Sequence, residues 1–138
     1  MMKVVWDNPQ RNIIRLDYFS PVNSWEEYRA AVHQAHSMAR SVCYPVYIIH
    51  NGQGVTMPSA GKKRALEELN QTINDLPDNV DLLLSVSTRS LENRISRIAS
   101  QTSVKADSMN IFMVDAINLA YQLIAAYESG EDLHTLAS

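Results

Sequence analysis

Four histidines, one cysteine and a glycine-containing loop that runs into three consecutive cations are the residues of this 138-residue chain whose types and spacing could do chemistry. His33 and His36 are three residues apart, close enough to share a helix face, but neither a cysteine nor an acidic pair accompanies them at the spacing of a metal site. A helical stripe centred on Val32 and Ala39 leaves His33 near the solvated side and His36 on its flank, so both are expected at the surface. Cys43 lacks a protease-like surround and no Gly-x-Ser-x-Gly elbow occurs, so no nucleophile is marked by sequence. A triad assembled from distant residues is the remaining route to a hydrolase.

The stretch from His50 to Arg64 is the most informative. A phosphate loop would need a glycine at position 56, where Thr56 stands, and Lys63 follows Lys62 where Ser or Thr is required. The dinucleotide fingerprint also fails, since Gly52-Gln53-Gly54 is followed by Met57 in place of its third glycine. No nucleotide, metal or other cofactor is therefore expected. Gly52, Gly54 and Gly61 would let backbone donors approach a partner closely, and Asn51, Thr56 and Ser59 add polar side chains. Lys62, Lys63 and Arg64 fall in the first turns of the helix that follows. There the macrodipole is positive, and each cation forgoes about 0.3–1 kcal/mol that an acid would provide. Such a run points to an anion or an acidic protein surface as partner, or else to three solvated cations.

These residues need elements to position them. Val4 to Trp6, a turn at Asp7-Asn8-Pro9, and the alternating Ile13 to Phe19 read as a hairpin. Ser24 with Glu27 three residues on is a capping-box start for a helix whose stripe is Trp25, Tyr28, Val32, Ala35, Ala39 and Val42. Val46 to Ile49 is an inner strand, and a helix from about Ser59 to Leu76 buries Leu66, Leu69, Ile73 and Leu76. Val80 to Val86 is another strand, with a short helix through Leu91, Ile95 and Ile98 after it. Ile111 to Val114 is the last strand, before a helix from about Asp115 to Gly130. Strands alternating with helices imply crossovers and a mostly parallel sheet covered by helices. One core is expected, from Trp25, Tyr28, Val32, Val46, Ile48, Leu66, Leu69, Ile73, Leu82, Leu84, Ile95, Ile98, Phe112, Val114, Ala120 and Leu123. Residues 1–138 form a single domain on this reading, and Cys43 is a small buried hydrophobe within it.

The net charge of −3 excludes broad capture of phosphates, so no nucleic-acid partner is expected, although Arg89, Arg94, Arg97 and Lys105 leave room for a local basic face. No run of about 18 apolar residues offers a membrane span, and the N-terminus lacks a signal peptide's apolar core. With a lone cysteine, a reducing, cytoplasmic setting is the expectation.

At the glycine loop, and in element order, the chain resembles the STAS and SpoIIAA-like family, the anti-sigma-factor antagonists and their relatives, which share a fold class with Sec14-like lipid-transfer domains. The hairpin, the Trp25-Glu26-Glu27 helix opening, Val46 to Ile49, the glycine loop and Val114-Asp115 before an alanine-bearing helix carry the likeness over nearly the whole chain. The family's Asp-Ser-Ser-Gly matches Pro58-Ser59-Ala60-Gly61, where only Ser59 and Gly61 agree. Ala60 takes the place of the phosphorylated serine and cannot accept phosphate, so the chain is closer to the divergent SpoIIAA-like proteins than to a working antagonist. Ser59 is left as an N-cap or a phosphate acceptor.

The resemblance implies an α/β domain, an N-terminal hairpin and then βαβαβα, acting as a non-enzymatic regulatory or protein-interaction module. It also implies a homodimer, for which Tyr44, Tyr121 and Ile124 are the uncommitted apolar residues. A small-ligand or lipid-binding domain of Sec14-like character, with an apolar pocket between sheet and helix, is the alternative, and an unrecognised hydrolase the third.

Overall fold

The computed structural model describes residues 2–19, 22, 24–52, 61–87, 110–131 and 133. The first two strands, β1 (Met2–Trp6) and β2 (Ile13–Tyr18), pair antiparallel, with Val4 opposite Leu16. The turn between them is closed by Asp7 N–H donating to the Ile13 carbonyl at 2.7 Å. Asn8 Oδ1 accepts from the amides of Asn12 and Ile13, and Arg11 adopts a left-handed φ of 55°. An Asx side chain that bonds backbone two or more residues on is the turn chemistry the Asp-Asn-Pro run announces.

Helix α1 (Trp25–Arg40) starts where Ser24 Oγ accepts from the Glu27 amide at 3.1 Å, the expected N-cap. Strand β3 (Val46–Asn51) lies parallel to β2, helix α2 (Gly61–Asn74) leads to β4 (Val80–Val86), and β5 (Asn110–Val114) precedes α3 (Ile117–Glu128). The five strands run in sequential order, β1-β2-β3-β4-β5, with every pair after the first parallel. This is the expected α/β architecture with a mostly parallel sheet. The expected helix through Leu91, Ile95 and Ile98 lies outside the described residues.

The core corrects the single-core expectation. Side chains alternate across a strand, so Val46 and Ile48 join Trp25, Tyr28, Val32 and Ala35 beneath α1 and α2. Tyr47 and Ile49 instead join Leu82, Leu84, Phe112, Ala120 and Leu123 beneath α3. Two successive crossovers in one direction along the sheet place α1 and α2 on one face, and the helix after the last strand covers the other.

Within the stripes, Leu66, Leu69 and Val114 are only partly buried. Ile124 is buried, Tyr121 is hydrogen-bonded to Arg15 and Asp7, and Tyr44 donates its hydroxyl to the Arg11 carbonyl while its ring stays exposed, as do the Phe19 ring and the Leu119 side chain. Cys43 is exposed, not buried, because α1 ends at Arg40 and the thiol falls on the short connection to β3. His36 also departs from expectation: it has no exposed surface. Lying four residues after Val32, it faces inward, and Asp75 at the end of α2 meets its Nδ1 at 2.9 Å.

Candidate functional site

The carboxyl ends of the parallel strands, where ligands collect in open α/β sheets, bring a row of side chains under α1 and α2. Register places His50 of β3 opposite Ser85 of β4, and Ser85 opposite Met113 of β5. Tyr18 ends β2 on the same face, by alternation with Ile14 and Leu16. Tyr28 descends from α1, and Leu69, Thr72 and Ile73 from α2. Together they enclose a cavity of about 50 Å³.

Two groups of buried hydrogen bonds lie along its wall. Thr72 Oγ1 donates to the Glu68 carbonyl at 3.0 Å, the ordinary back-bond of a helical threonine. Its one proton is therefore used, and Tyr28 must donate in their 2.7 Å contact. Burial pushes the Tyr28 phenol up to about 12. Burial raises Tyr18 well above its usual range, and the charge of a neighbouring Tyr28 phenolate would raise it further, so its phenol stays protonated. Tyr18 Oη lies 2.6 Å from His50 Nδ1, a contact whose direction is set by the imidazole tautomer. Burial, with a smaller contribution from His36, holds His50 down at about 3, so its ring is neutral at pH 7. Its Nε2 is buried and has no hydrogen-bond partner among the described residues.

Next to these bonds, Glu68 is 5% exposed yet ionised, because Arg29 of α1 grips it with Nε and Nη2 and Arg64 of α2 reaches it at 2.9 Å. On the opposite face, Arg15 joins Asp7 at 2.7 Å, Asp17 and the Tyr121 hydroxyl, which also donates to Asp7. This network ties α3 to the hairpin. It is also why the β1-β2 part of that face is polar.

Of the residues singled out from sequence, Asn51 and Gly52 close β3 at the expected edge. Asn51 Nδ2 donates to Asp17 at 3.1 Å, and Gly52 N–H donates to the Val86 carbonyl at 2.9 Å. Gly54, Thr56 and Ser59 lie outside the described residues. Gly61 and Lys62 open α2, and Lys63 is exposed. Arg64 is not a free cation of the run: its charge is taken by Glu68 one turn on. Tyr18, Tyr28 and Thr72 carry no motif that marks them as site residues, and His50 is marked only as the start of the glycine stretch. Each lies on an apolar stripe or strand face, and the available signal was a polar residue at a position the period assigns to the core.

A β-carbon at Gly52 would meet the Val86 carbonyl oxygen at 3.3 Å and the Tyr18 ring at 3.7 Å. The oxygen is backbone and held by Gly52 itself, so it cannot yield cheaply. Gly52→Ala is expected to cost about 1–3 kcal/mol, as overpacking does. Urea midpoints of the two chains measure it, and an unchanged midpoint would show the edge to be looser than this contact implies.

Asp75 and His36 form an acid–imidazole pair, and the buried His36 Nε2 has no hydroxyl or thiol bonded to it among the described residues. Burial lowers His36 and the Asp75 bond only partly offsets this. Among the described residues no three His, Cys, Asp or Glu side chains are grouped to hold a metal ion, and no helix is long and apolar enough to cross a membrane. No protein-family model matches the chain, and neither a curated protein nor a solved structure does.

Proposed function

We propose that the chain is a non-enzymatic regulatory or protein-interaction module of STAS/SpoIIAA-like type, whose contact surface is the end of β3 together with the start of α2. The observation that carries the reading is the composition of that start: α2 opens at Gly61 with Lys62 and Lys63 in a first turn that holds no acid, and Lys63 is exposed. Arg64 is subtracted by Glu68, which leaves the exposed Lys63, next to Lys62 in the sequence, beside the positive helix end. An acidic protein surface, or an anion, is the partner this charge would attract. The antiparallel β1-β2 pair followed by parallel strands supports a SpoIIAA-like layout. Association of two copies rests on the family resemblance, with Phe19, Tyr44 and Leu119 as its exposed apolar residues. The cavity between the sheet and α2, at about 50 Å³, is far below the ~300–1,000 Å³ of ligand pockets and so does not by itself support a lipid-carrying role.

Lys62→Glu/Lys63→Glu is the test, measured as thermal midpoint and as quantitative capture of partners from the native cell extract. The midpoint should hold or rise slightly, since acids suit a helix start, while capture falls at least fivefold. Undiminished capture removes the reading. Arg64 is left in place because its loss would expose Glu68 to an unrelated stability change.

A further inference from the structure

Two imidazoles are shut in on the α1 side of the sheet. His36 of α1 has no exposed surface and His50 of β3 is 7% exposed. The Nε2 of each is buried, without a hydrogen-bond partner among the described residues. We propose that α1 and α2 form an acid-released layer, which leaves the sheet when His36 and His50 take up protons while α3 stays docked on the opposite face. The device rests neither on the contact surface at the start of α2 nor on the tautomer of His50.

An imidazolium carries a proton on both nitrogens. In the closed layer each charged ring would therefore hold a buried charge and an Nε2 donor with nothing to accept it. The surrounding groups give little relief. His36 faces Asp75 from the end of α2 at 2.9 Å, but Arg40 and His33 of its own helix oppose the added charge. His50 meets Tyr18 from β2 and Tyr28 and His36 from α1, stands opposite Ser85 of β4, and has no carboxylate acting on it among the described residues. Burial accordingly holds both rings below the ordinary 6.5. One movement solvates both, because α1 carries His36 and its Tyr28 packs against His50 with ring centroids 6.5 Å apart. Helix α2 goes with α1, since the Tyr28–Thr72, Arg29–Glu68 and His36–Asp75 bonds join these two segments to each other and not to the sheet. The core under α3 holds no buried histidine among the described residues, so protons taken up near pH 6 act on one face alone.

A histidine whose folded value lies below 6.5 contributes stability that is whole above 6.5 and is lost as pH falls below it, by up to about tenfold in the open fraction per pH unit. Native-state hydrogen exchange of the full ¹⁵N-labelled chain, corrected for intrinsic amide rates, reads that fraction helix by helix. Protection in α1 and α2 should fall together, about tenfold or more from pH 7 to pH 5, and at pH 5 should lie about tenfold or more below that of α3. In His36→Gln/His50→Gln, which has no buried imidazole left to protonate, the fall should shrink below about threefold, whereas His33→Gln, at an exposed position of α1, should keep it. Protection in α1 and α2 that is constant across this range, equal protection in all three helices at pH 5, or an undiminished fall in the double variant would overturn the proposal. If the double variant does not fold, the comparison of helices in the unaltered chain decides.

Discussion

Ile48→Ala and Ile49→Ala are each expected to destabilise the chain by about 2–5 kcal/mol, the cost of removing a large aliphatic side chain from a filled core. The two neighbours have no exposed surface, yet they belong to different cores, Ile48 to the one under α1 and α2 and Ile49 to the one under α3. Native-state hydrogen exchange should separate them: Ile48→Ala lowers protection in α1 and α2, and Ile49→Ala lowers it in α3. Leu69, only partly buried, should cost less than either when cut to alanine. A loss below about 0.5 kcal/mol at Ile48 or Ile49, typical of surface sites, would contradict the two-sided packing.

That pair also shows what periodicity conveys and what it withholds. A continuous apolar run from Val46 to Ile49 announces a strand buried on both faces, and the helix stripes announce which side of each helix turns inward. Neither says which helix covers which face. That choice is made by crossover direction, a property of the whole chain, and so Leu82 and Leu84 were grouped with Val32 although the sheet separates them. Boundaries moved by one or two residues, as at the end of α2, where Asn74 and not Leu76 is the last helical residue.

The candidate site was half legible. Gly52 and Lys63 were recognisable from glycine spacing and charge against the helix dipole. The buried cluster of Tyr18, Tyr28, Thr72 and His50 was not, because its members come from four elements and meet only after the sheet and helices pack. His36 was misplaced for a related reason. A histidine on an apolar stripe reads as surface until a partner is known, and Asp75 arrives from 39 residues away.

Glu68 gives the other large effect, and its sign changes with its partners. Burial raises this carboxyl, but Arg29 first and Arg64 next outweigh it, so the folded-state value lies below the ordinary 4.5. Stability from the cluster is therefore present above pH 4.5 and lost as pH falls through the lower folded value. In Arg29→Met/Arg64→Met the two guanidinium groups are gone and burial alone remains. Glu68 is then expected to cost about 3 kcal/mol at neutral pH, the low end for a broken buried pair, because water reaches the place of two half-exposed arginines. Its folded value now lies above 4.5, so the stability it permits is complete below pH 4.5 and is lost as pH rises through the folded value. Urea unfolding of both chains from pH 3.5 to 7 should thus give opposite shifts from this one group: relative to wild type, the double variant closes its deficit as the solution becomes acidic. Adding Glu68→Gln should restore most of the loss at pH 7, since the amide has no charge to desolvate. If the deficit stays constant across that range, or Gln restores nothing, the arginines act through packing of their stems and not by compensating Glu68.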